Sequence, residues 1–430
     1  MITGAHAGKG SEPLRVDRAG HGAGHAARPL SCLRAVIVAA VALAASHAAA
    51  DEAATGPATL RSRLAGADVG VALGGRLPGD YTAAELALVR DQFACLTPEN
   101  CMKMQHLQPE EGRFDFTEAD AFVAFAEANG QRVAGHVLVW ARDECTPGWV
   151  FRDGDGPASR ALVLERMQTH IRTVVGRYRG RIASWDVVNE ALAGDDDNDN
   201  GDGNGGDSGA GDGNGGDGGA GADEDDTLLR PSGWEQATGT EFIEKAFACA
   251  READPDALLL YNDYNTDLPR KRARLLRLVR HLLDHGAPID GVGVQGHFEL
   301  GGVPYERLEA LCVALGGLGL KVVVSELDLA VVPRHRWWAD GGAHREEMRQ
   351  SDPYAAGCPD EVLRAQADEY GRLFALFDRH AGVIDRVTFW NLHDGRSWLN
   401  AFPWDHVEHP LLFDRECRAK PAFDAVTTGR

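Results

Sequence analysis

The stretch Ser184-Trp-Asp-Val-Val-Asn-Glu190 decides the fold, because a strand-like apolar run ends there in an amide and a carboxylate. The stretch 321–328, Lys-Val-Val-Val-Ser-Glu-Leu-Asp, repeats this design further along the chain. Strands of a parallel sheet are covered on both faces, so their sequences are nearly continuous apolar runs. Both stretches therefore predict parallel strands whose polar residues lie at the carboxyl ends.

Six further runs of the same type occur after residue 60, and segments of helical spacing, such as Leu275, Leu278 and Leu282, separate them. The eight predicted strands span 69–72, 94–97, 132–136, 184–188, 257–261, 291–295, 321–325 and 387–390. Eight strand-then-helix units in about 350 residues predict an α/β fold, a single (β/α)8 barrel. The alternative is a doubly wound open sheet, but no GxGxxG follows the first strand.

The N-terminal 50 residues have the features of a signal peptide. Arg28 and Arg34 precede the apolar segment 35–45, and the small residues of 47–50 suit cleavage near Ala50. A membrane anchor is the alternative, but 11 apolar residues fall short of the roughly 20 that span a bilayer. We therefore expect a secreted or periplasmic protein without a membrane anchor, whose domain spans 51–430.

The formal net charge of −21 is unevenly distributed along the chain. Residues 1–50 carry +3, the segment 194–226 carries −12 from 11 Asp and one Glu, and the remainder carries −12. This balance excludes a broad nucleic-acid-binding surface. The segment 194–226 follows the fourth strand and contains a Gly/Asp repeat, so it is predicted to be a disordered, solvated insert. A calcium-binding loop is the alternative, but the spacing matches neither known calcium motif.

Seven cysteines remain after residue 50, and seven cannot all pair. In an oxidising compartment they allow up to three disulfides, whose connectivity the sequence does not give. The alternative is that several are small core residues. They are Cys95, Cys101, Cys145, Cys249, Cys312, Cys358 and Cys417.

Polar residues at the carboxyl ends of barrel strands face a common mouth, where active sites of this fold lie. Seven predicted strands end in such residues, so we expect one shared site. Glu190 and Glu326 end the fourth and seventh strands, on opposite sides of the mouth. A carboxylic acid and a carboxylate on either side of a glycosidic bond are the catalytic groups of most glycosidases. Either residue alone is compatible with a salt bridge, but the pair predicts catalysis.

Seven strings in this order resemble glycoside hydrolase family 10, the endo-β-1,4-xylanases. The resemblance covers about residue 66 to Phe423 and includes PLLFD at 410–414 and KPAF at 420–423. Its most specific element is WDVVNE, followed at the right distance by SELD. The seven strings are TPENCMK, GHVLVW, WDVVNEAL, NDYN, GVQGH, SELD and FWNLHDGRSW.

The resemblance implies a retaining enzyme with Glu190 as acid/base and Glu326 as nucleophile. It also implies that Asn189 binds the 2-hydroxyl of the sugar, and that His297, oriented by Asp328, positions the nucleophile. The remaining residues implied to bind substrate are Glu99, Asn100, Lys103, His136, Trp140, Tyr264, Gln295, Trp390 and Trp398. For each Trp the alternative is a core position. Trp337 and Trp338 lie in the loop after the seventh strand, where they are candidates for a further sugar platform or a lid.

The chain departs from the family pattern after GHVLVW. A His, a small residue and a Gln usually follow, whereas this chain has Ala141, Arg142 and Asp143. One sugar contact of that Gln is therefore in question. Asn391 also stands where Gly is common. Neither change affects the two glutamates.

The expected function is cleavage of internal xylan bonds by a monomer that needs no metal or cofactor. Two alternatives remain open at this point. One is a related retaining barrel glycosidase that acts on another β-1,4-glycan. The other is a carbohydrate-binding protein that has lost catalysis, which the presence of both glutamates disfavours.

Overall fold

The computed structural model describes residues 59–194 and 227–429. The predicted signal peptide and residues 195–226 of the acidic insert lie outside the described residues.

Eight parallel strands form a closed barrel, which confirms the predicted (β/α)8 fold. Each strand pairs with the next along the chain, and the last pairs with the first, with Asp68 opposite Arg386. The strands are β1 (Asp68–Leu73), β2 (Cys95–Pro98), β3 (Arg132–Gly135), β4 (Ser184–Asn189), β5 (Leu258–Asp263), β6 (Gly291–Val294), β7 (Lys321–Ala330) and β8 (Ile384–Trp390). Short strands outside this ring are Val139–Trp140, Arg152–Asp153, Gly156–Pro157 and His297–Glu299.

The predicted end of the seventh strand at 325 is wrong, because β7 continues to Ala330. The short strand His297–Glu299 pairs with this extension and places His297 opposite Asp328. Glu326 and Asp328 therefore lie within a paired strand and not in a loop. The pairing fixes both carboxylates relative to His297.

Helices surround the barrel and bury their apolar faces against the strands. The first begins with a capping box, in which the Thr82 side chain accepts a hydrogen bond from Glu85 N and the Thr82 N–H donates to Glu85 Oε2. The helices are α1 (Ala83–Gln92), α2 (Met104–Leu107), α3 (Thr117–Ala128), α4 (Arg160–Arg177), α5 (Gly233–Thr238), α6 (Glu241–Ala253), α7 (Pro269–Asp284), α8 (Tyr305–Gly317), α9 (Arg345–Arg349), α10 (Asp360–Arg379) and α11 (Pro421–Thr428). In the described ranges, none of them is both long and apolar enough to cross a bilayer.

All seven cysteines are free thiols. Cys95, Cys101, Cys249 and Cys312 are buried, so these four occupy core positions instead of forming disulfides. Burial raises the pKa of the Cys312 thiol to about 11, which keeps it protonated and unreactive at neutral pH.

Gly293 in β6 makes room for a polar side chain inside the barrel. A Cβ atom at Gly293 would lie 2.2 Å from Oδ1 of Asn262, on the neighbouring strand β5. No real Cβ contact is that short, so any side chain here would displace Asn262. The sequence GVGVQ thus combines strand-forming residues with a space that only glycine provides.

We expect Gly293→Ala to lower the free energy of unfolding by about 1–3 kcal/mol, because the added methyl group overpacks the core. Urea unfolding followed by circular dichroism would measure this. The matched control is Gly176→Ala in α4, where a Cβ meets no atom within 4 Å and helix propensity adds about 0.5–1 kcal/mol. Equal stability of both variants would contradict the packing argument.

Candidate active site

Glu190 directly follows β4 and is held in an unusual backbone conformation. Its φ is +57°, in the left-handed region, and its side chain is buried. Such a conformation costs about 1–3 kcal/mol in a non-glycine residue and persists only where the surroundings enforce it. The Glu190 N–H donates to the carbonyl of Asn262 at 2.9 Å, and this bond holds the turn.

Glu326 lies within β7 and is also buried. Its backbone N–H donates to the carbonyl of Gln295 at 2.8 Å. Its Oε1 accepts a hydrogen bond from Asn262 Nδ2 at 2.7 Å, and its Oε2 lies 3.3 Å from His297 Nε2. Both carboxylate oxygens are therefore fixed before any ligand arrives.

Two amide residues, Asn262 and Gln295, cross-connect the two glutamates, and we call them the amide bridge. Asn262 bonds the backbone of Glu190 and the side chain of Glu326. Gln295 does the reverse, since its Nε2 donates to Glu190 Oε1 at 3.0 Å and its carbonyl accepts from Glu326 N. Asn189 lies within the bridge: in the amide orientation that satisfies both its atoms, Nδ2 donates to the carbonyl of Asn262 at 3.1 Å and Oδ1 accepts the Trp140 indole N–H at 3.3 Å. The spacing of the carboxylates is thus set by strands β4 to β7.

His297 links Glu326 to Asp328. Its Nδ1 lies 2.9 Å from Asp328 Oδ2, which also accepts the indole N–H of Trp398 at 2.8 Å. Burial disfavours the charged imidazolium, but Asp328 and Glu326 outweigh burial and raise the pKa of His297 to about 9. The protonated ring donates from both nitrogens, so it fixes the orientation of the Glu326 carboxylate relative to Asp328. This contact agrees with the predicted positioning role.

Glu190 has a cationic partner that the sequence did not identify. Arg142 Nε donates to Glu190 Oε2 at 2.6 Å, and both side chains are buried. Burial alone would raise the pKa of Glu190, but the charges of Arg142 and Arg230 and the Gln295 hydrogen bond lower it to about 2. Tyr264, which was predicted to bind substrate, contacts Arg142 and Arg230. Its hydroxyl is 2.6 Å from Arg230 Nη2 and 3.4 Å from Arg142 Nη2.

The loop after β2 supplies a group of polar residues next to the catalytic pair. Lys103 Nζ donates to Asn100 Oδ1 at 3.0 Å and lies 4.7 Å from the centre of the Trp140 ring. Glu99 Oε2 accepts from Asn391 Nδ2 at 2.9 Å. Burial raises the pKa of Glu99 and lowers that of Lys103, while the opposite charge of each partly offsets the shift of the other.

The predicted aromatic residues divide into two groups. Trp140, Trp390 and Trp398 surround the site, with His136 edge-on to Trp390 at 5.4 Å and His297 5.0 Å from Trp398. His136 is itself fixed by Asp186 at 2.8 Å. Trp337 instead stacks on Trp404 at 5.3 Å in a small separate core and is only 8% exposed. Trp337 therefore packs in that separate core, whereas Trp390, which is as buried at 7% exposure, lies against His136 and His297 of the site.

Sequence reasoning missed Asn262, Arg142 and Asn391 as parts of the site. Asn262 was visible in the string NDYN, but its partners depend on the pairing of β5 with β4 and β6. Arg142 was visible only as a departure from the family pattern. Asn391 adopts φ +83°, which explains why glycine suits this position, and its side chain connects Glu99 to the backbone of Trp398.

Metal-binding chemistry is found away from the barrel mouth. Among the described residues, the one cluster with suitable ligand atoms is Glu244, His281 and His285, whose ligand atoms lie within 4.8 Å of one another on the outer helices α6 and α7. Glu244 and His281 already form a 2.7 Å ion pair. The candidate active site itself consists of carboxylates, amides, cations and indoles.

A (β/α)8 barrel with an amide-bridged pair of carboxylates, one directly after β4 and one within β7, defines a barrel glycoside hydrolase. The profile of Glycosyl hydrolase family 10 matches residues 61–428. The chain therefore belongs to glycosyl hydrolase family 10, as the sequence resemblance implied.

Relatives and solved structures agree with this assignment. An endo-1,4-beta-xylanase of Geobacillus stearothermophilus is 37% identical over 342 residues, which are 79% of this chain and 90% of the relative. A thermostable celloxylanase of Thermoclostridium stercorarium is 37% identical over 368 residues, 82% of this chain and 84% of the relative. The crystal structure of xylanase B from Clostridium stercorarium F9 covers 86% of this chain and 99% of its own, with 36% identity and a TM-score of 0.72.

The raised pKa of His297 predicts a pH-dependent contribution to stability. This contribution is fully present below the ordinary pKa of 6.5 and is lost as the pH rises through about 9. The difference in unfolding free energy between the wild type and His297→Gln should therefore shrink between pH 6.5 and pH 9 in urea titrations. The control is His335→Gln, at an exposed histidine paired with Glu299. A difference for His297→Gln that stays constant over this range would contradict the imidazolium assignment.

Proposed function

We propose that the protein is a retaining endo-β-1,4-xylanase that hydrolyses internal bonds of xylan. The observation that carries the proposal is the amide bridge, which holds one carboxylate beside a protonated histidine and the other beside an arginine. The two glutamates are thereby held in fixed positions with different partners, and a fixed pair of carboxyl groups is what a retaining glycosidase needs. Family membership and the xylanase names of the similar proteins support the substrate class.

The proposed reaction has two displacements. In the first, Glu326 attacks the anomeric carbon while Glu190 gives a proton to the leaving glycosidic oxygen, and the aglycone chain departs. In the second, Glu190 as a carboxylate takes a proton from water, and the water oxygen displaces Glu326 from the sugar. Two inversions give net retention, and no metal or cofactor takes part in either step.

The neighbouring residues have proposed roles in positioning and stabilisation. Asn189, held by Asn262, is placed to bind the 2-hydroxyl of the sugar that is cleaved, an interaction that strengthens in the transition state. His297, held by Asp328, keeps the Glu326 carboxylate oriented. Because all these side chains are already hydrogen-bonded to one another, little reorganisation is needed when substrate binds.

Sugar recognition is proposed to use polar groups and aromatic faces on either side of the pair. Glu99, Asn100, Lys103 and His136 would present donors and acceptors to hydroxyl groups. Trp140, Trp390 and Trp398 would cover the apolar C–H faces of the sugar rings. Gln295 is proposed to contribute mainly by its hydrogen bond to Glu190. Tyr264 is proposed to contribute by holding Arg230 and Arg142, which donate to its hydroxyl group.

Product analysis on a panel of polysaccharides tests the substrate assignment. We expect short xylo-oligosaccharides from glucuronoxylan and arabinoxylan, and no products from mannan or cellulose, when digests are resolved by mass. Glu326→Ala is the matched control, expected to remain folded and to lose at least about 10⁴-fold in kcat, because no other group can form the covalent intermediate. Cleavage of mannan or cellulose without xylan would favour another β-1,4-glycan, and binding without cleavage would favour a carbohydrate-binding protein.

We also propose that the protein is exported as a monomer after cleavage near Ala50. The support is the sequence of residues 28–50, with basic residues, a short apolar segment and a small-residue cleavage site. Expression of the full chain in a bacterial host should give a mature N-terminus close to Asp51 in the periplasm or medium, as read by mass spectrometry. Retention of the full chain in the cytoplasm would contradict export.

A further inference from the structure

Arg142 occupies the position where the chain departs from its family, and it contacts the proposed acid/base directly. It lies in the loop after β3, between Ala141, whose N–H donates to Asn189 O at 2.9 Å, and a short helical turn at Asp143–Cys145. Thr146 anchors this loop, because its hydroxyl donates to the carbonyl of Arg142 at 3.1 Å and accepts the indole N–H of Trp234 at 3.0 Å. The guanidinium is therefore held in place by the fold.

Both side-chain hydrogen bonds that Glu190 receives come from donors, and such bonds favour a carboxylate over a carboxyl group. Oε2 receives Arg142 Nε at 2.6 Å, and Oε1 receives Gln295 Nε2 at 3.0 Å. A protonated carboxyl group keeps one carbonyl oxygen as a good acceptor, so it satisfies these two donors less well. An acid/base that starts the cycle as a general acid needs that proton, so the geometry opposes the first step of the reaction.

The charged and titratable groups around Glu190 also favour its ionised form. From the loop after β3 come Arg142 and Cys145, and from the loop after β2 comes Lys103. Arg230 acts from the segment before α5, and Tyr264 lies beyond both arginines on the loop after β5. Three of these five groups are cations, and all three favour the ionised form of Glu190.

We propose that Arg142 is a positioning residue that holds Glu190 ionised in the free enzyme and thereby controls protonation of the leaving group. The inference rests on the proposed function and deepens it. The carboxylate that Arg142 stabilises is the form that Glu190 needs as general base in the second displacement. Arg142 therefore favours the base form of Glu190 at the cost of its basicity, and opposes cleavage of poor leaving groups at neutral pH.

The proton balance defines what the first displacement requires. Glu190 must take one proton from solvent and give it to the glycosidic oxygen in the first displacement. In the second displacement it takes a proton from the attacking water, and it returns that proton to solvent to regenerate the ionised free enzyme. Protonation removes the charge from Glu190 and weakens its bond to Arg142, whose Nη1 already lies 3.3 Å from the exposed carboxylate of Glu144. Glu144 can therefore retain the guanidinium while Glu190 is neutral.

Two synthetic xylobiosides separate this role from a merely structural one. A dinitrophenyl leaving group departs without a proton, whereas an unactivated phenyl leaving group needs one. In the wild type, kcat/KM for the phenyl substrate should decrease as the pH rises, and the midpoint of this decrease, the basic limb, should lie below pH 7. For the dinitrophenyl substrate, kcat/KM should show no such decrease. This comparison uses the unmodified enzyme, so it does not depend on the folding of any variant.

The variant Arg142→Met removes the charge and keeps a side chain of similar length. We expect the midpoint of its basic limb for the phenyl substrate to rise by at least about one pH unit. This shift should increase kcat/KM for that substrate about tenfold at neutral pH. Its kcat/KM for the dinitrophenyl substrate should stay within about twofold of the wild type. Arg152→Met, at an exposed arginine further along the same connection between β3 and α4, is the matched control and should leave both profiles unchanged.

The possible failures are distinguishable. A wild type that cleaves neither xylobioside would overturn the proposed function. If the wild type cleaves both, but the basic limb for the phenyl substrate lies above pH 7 or is the same for both leaving groups, only the proposed role of Arg142 is wrong. The proposed role of Arg142 is also wrong if Arg142→Met does not move the basic limb of the phenyl substrate, or if it lowers kcat/KM for both substrates by the same factor.

Discussion

The structure depends most on the amide bridge of Asn262 and Gln295. Each residue bonds the backbone of one catalytic candidate and the side chain of the other, so the two glutamates cannot move independently. The bridge exists because β5 and β6 lie between β4 and β7 in the barrel, and because Gly293 leaves room for Asn262. A retaining mechanism needs a fixed separation of its two carboxyl groups. Here the order of the strands provides that separation.

Electrostatics then distinguishes two chemically identical side chains. Glu326 faces a histidine that Asp328 keeps protonated, while Glu190 faces the permanent charge of Arg142. His297 and Arg142 both carry positive charge beside a carboxyl group. Such a partner suits a nucleophile in both displacements, but it suits an acid/base only in the second displacement, where that residue acts as a carboxylate. The departure of this chain from its family therefore places Arg142 against Glu190, the residue whose protonation state changes in the proposed mechanism. The sequence alone marked the position without indicating what it touches.

Much of the fold and part of the site could be predicted from the sequence, for identifiable reasons. The apolar runs located all eight strands because buried parallel strands leave a local signature, and the strand ends located Glu190 and Glu326. The extension of β7 to Ala330 was missed because it depends on pairing with His297–Glu299, which is a tertiary contact. Asn262 and Arg142 were missed for the same reason, since their roles are defined by residues more than 40 positions away.

The most direct test of the central claim is to trap the covalent intermediate. The wild type would be incubated with a 2-deoxy-2-fluoro xylobioside carrying a good leaving group, which slows both displacements but the second more strongly. Peptide mass spectrometry should then find one glycosyl adduct, on Glu326, and none on Glu326→Ala. An adduct on another residue, or turnover that inverts the anomeric configuration without an adduct, would contradict the assignment of the nucleophile and the role of the amide bridge.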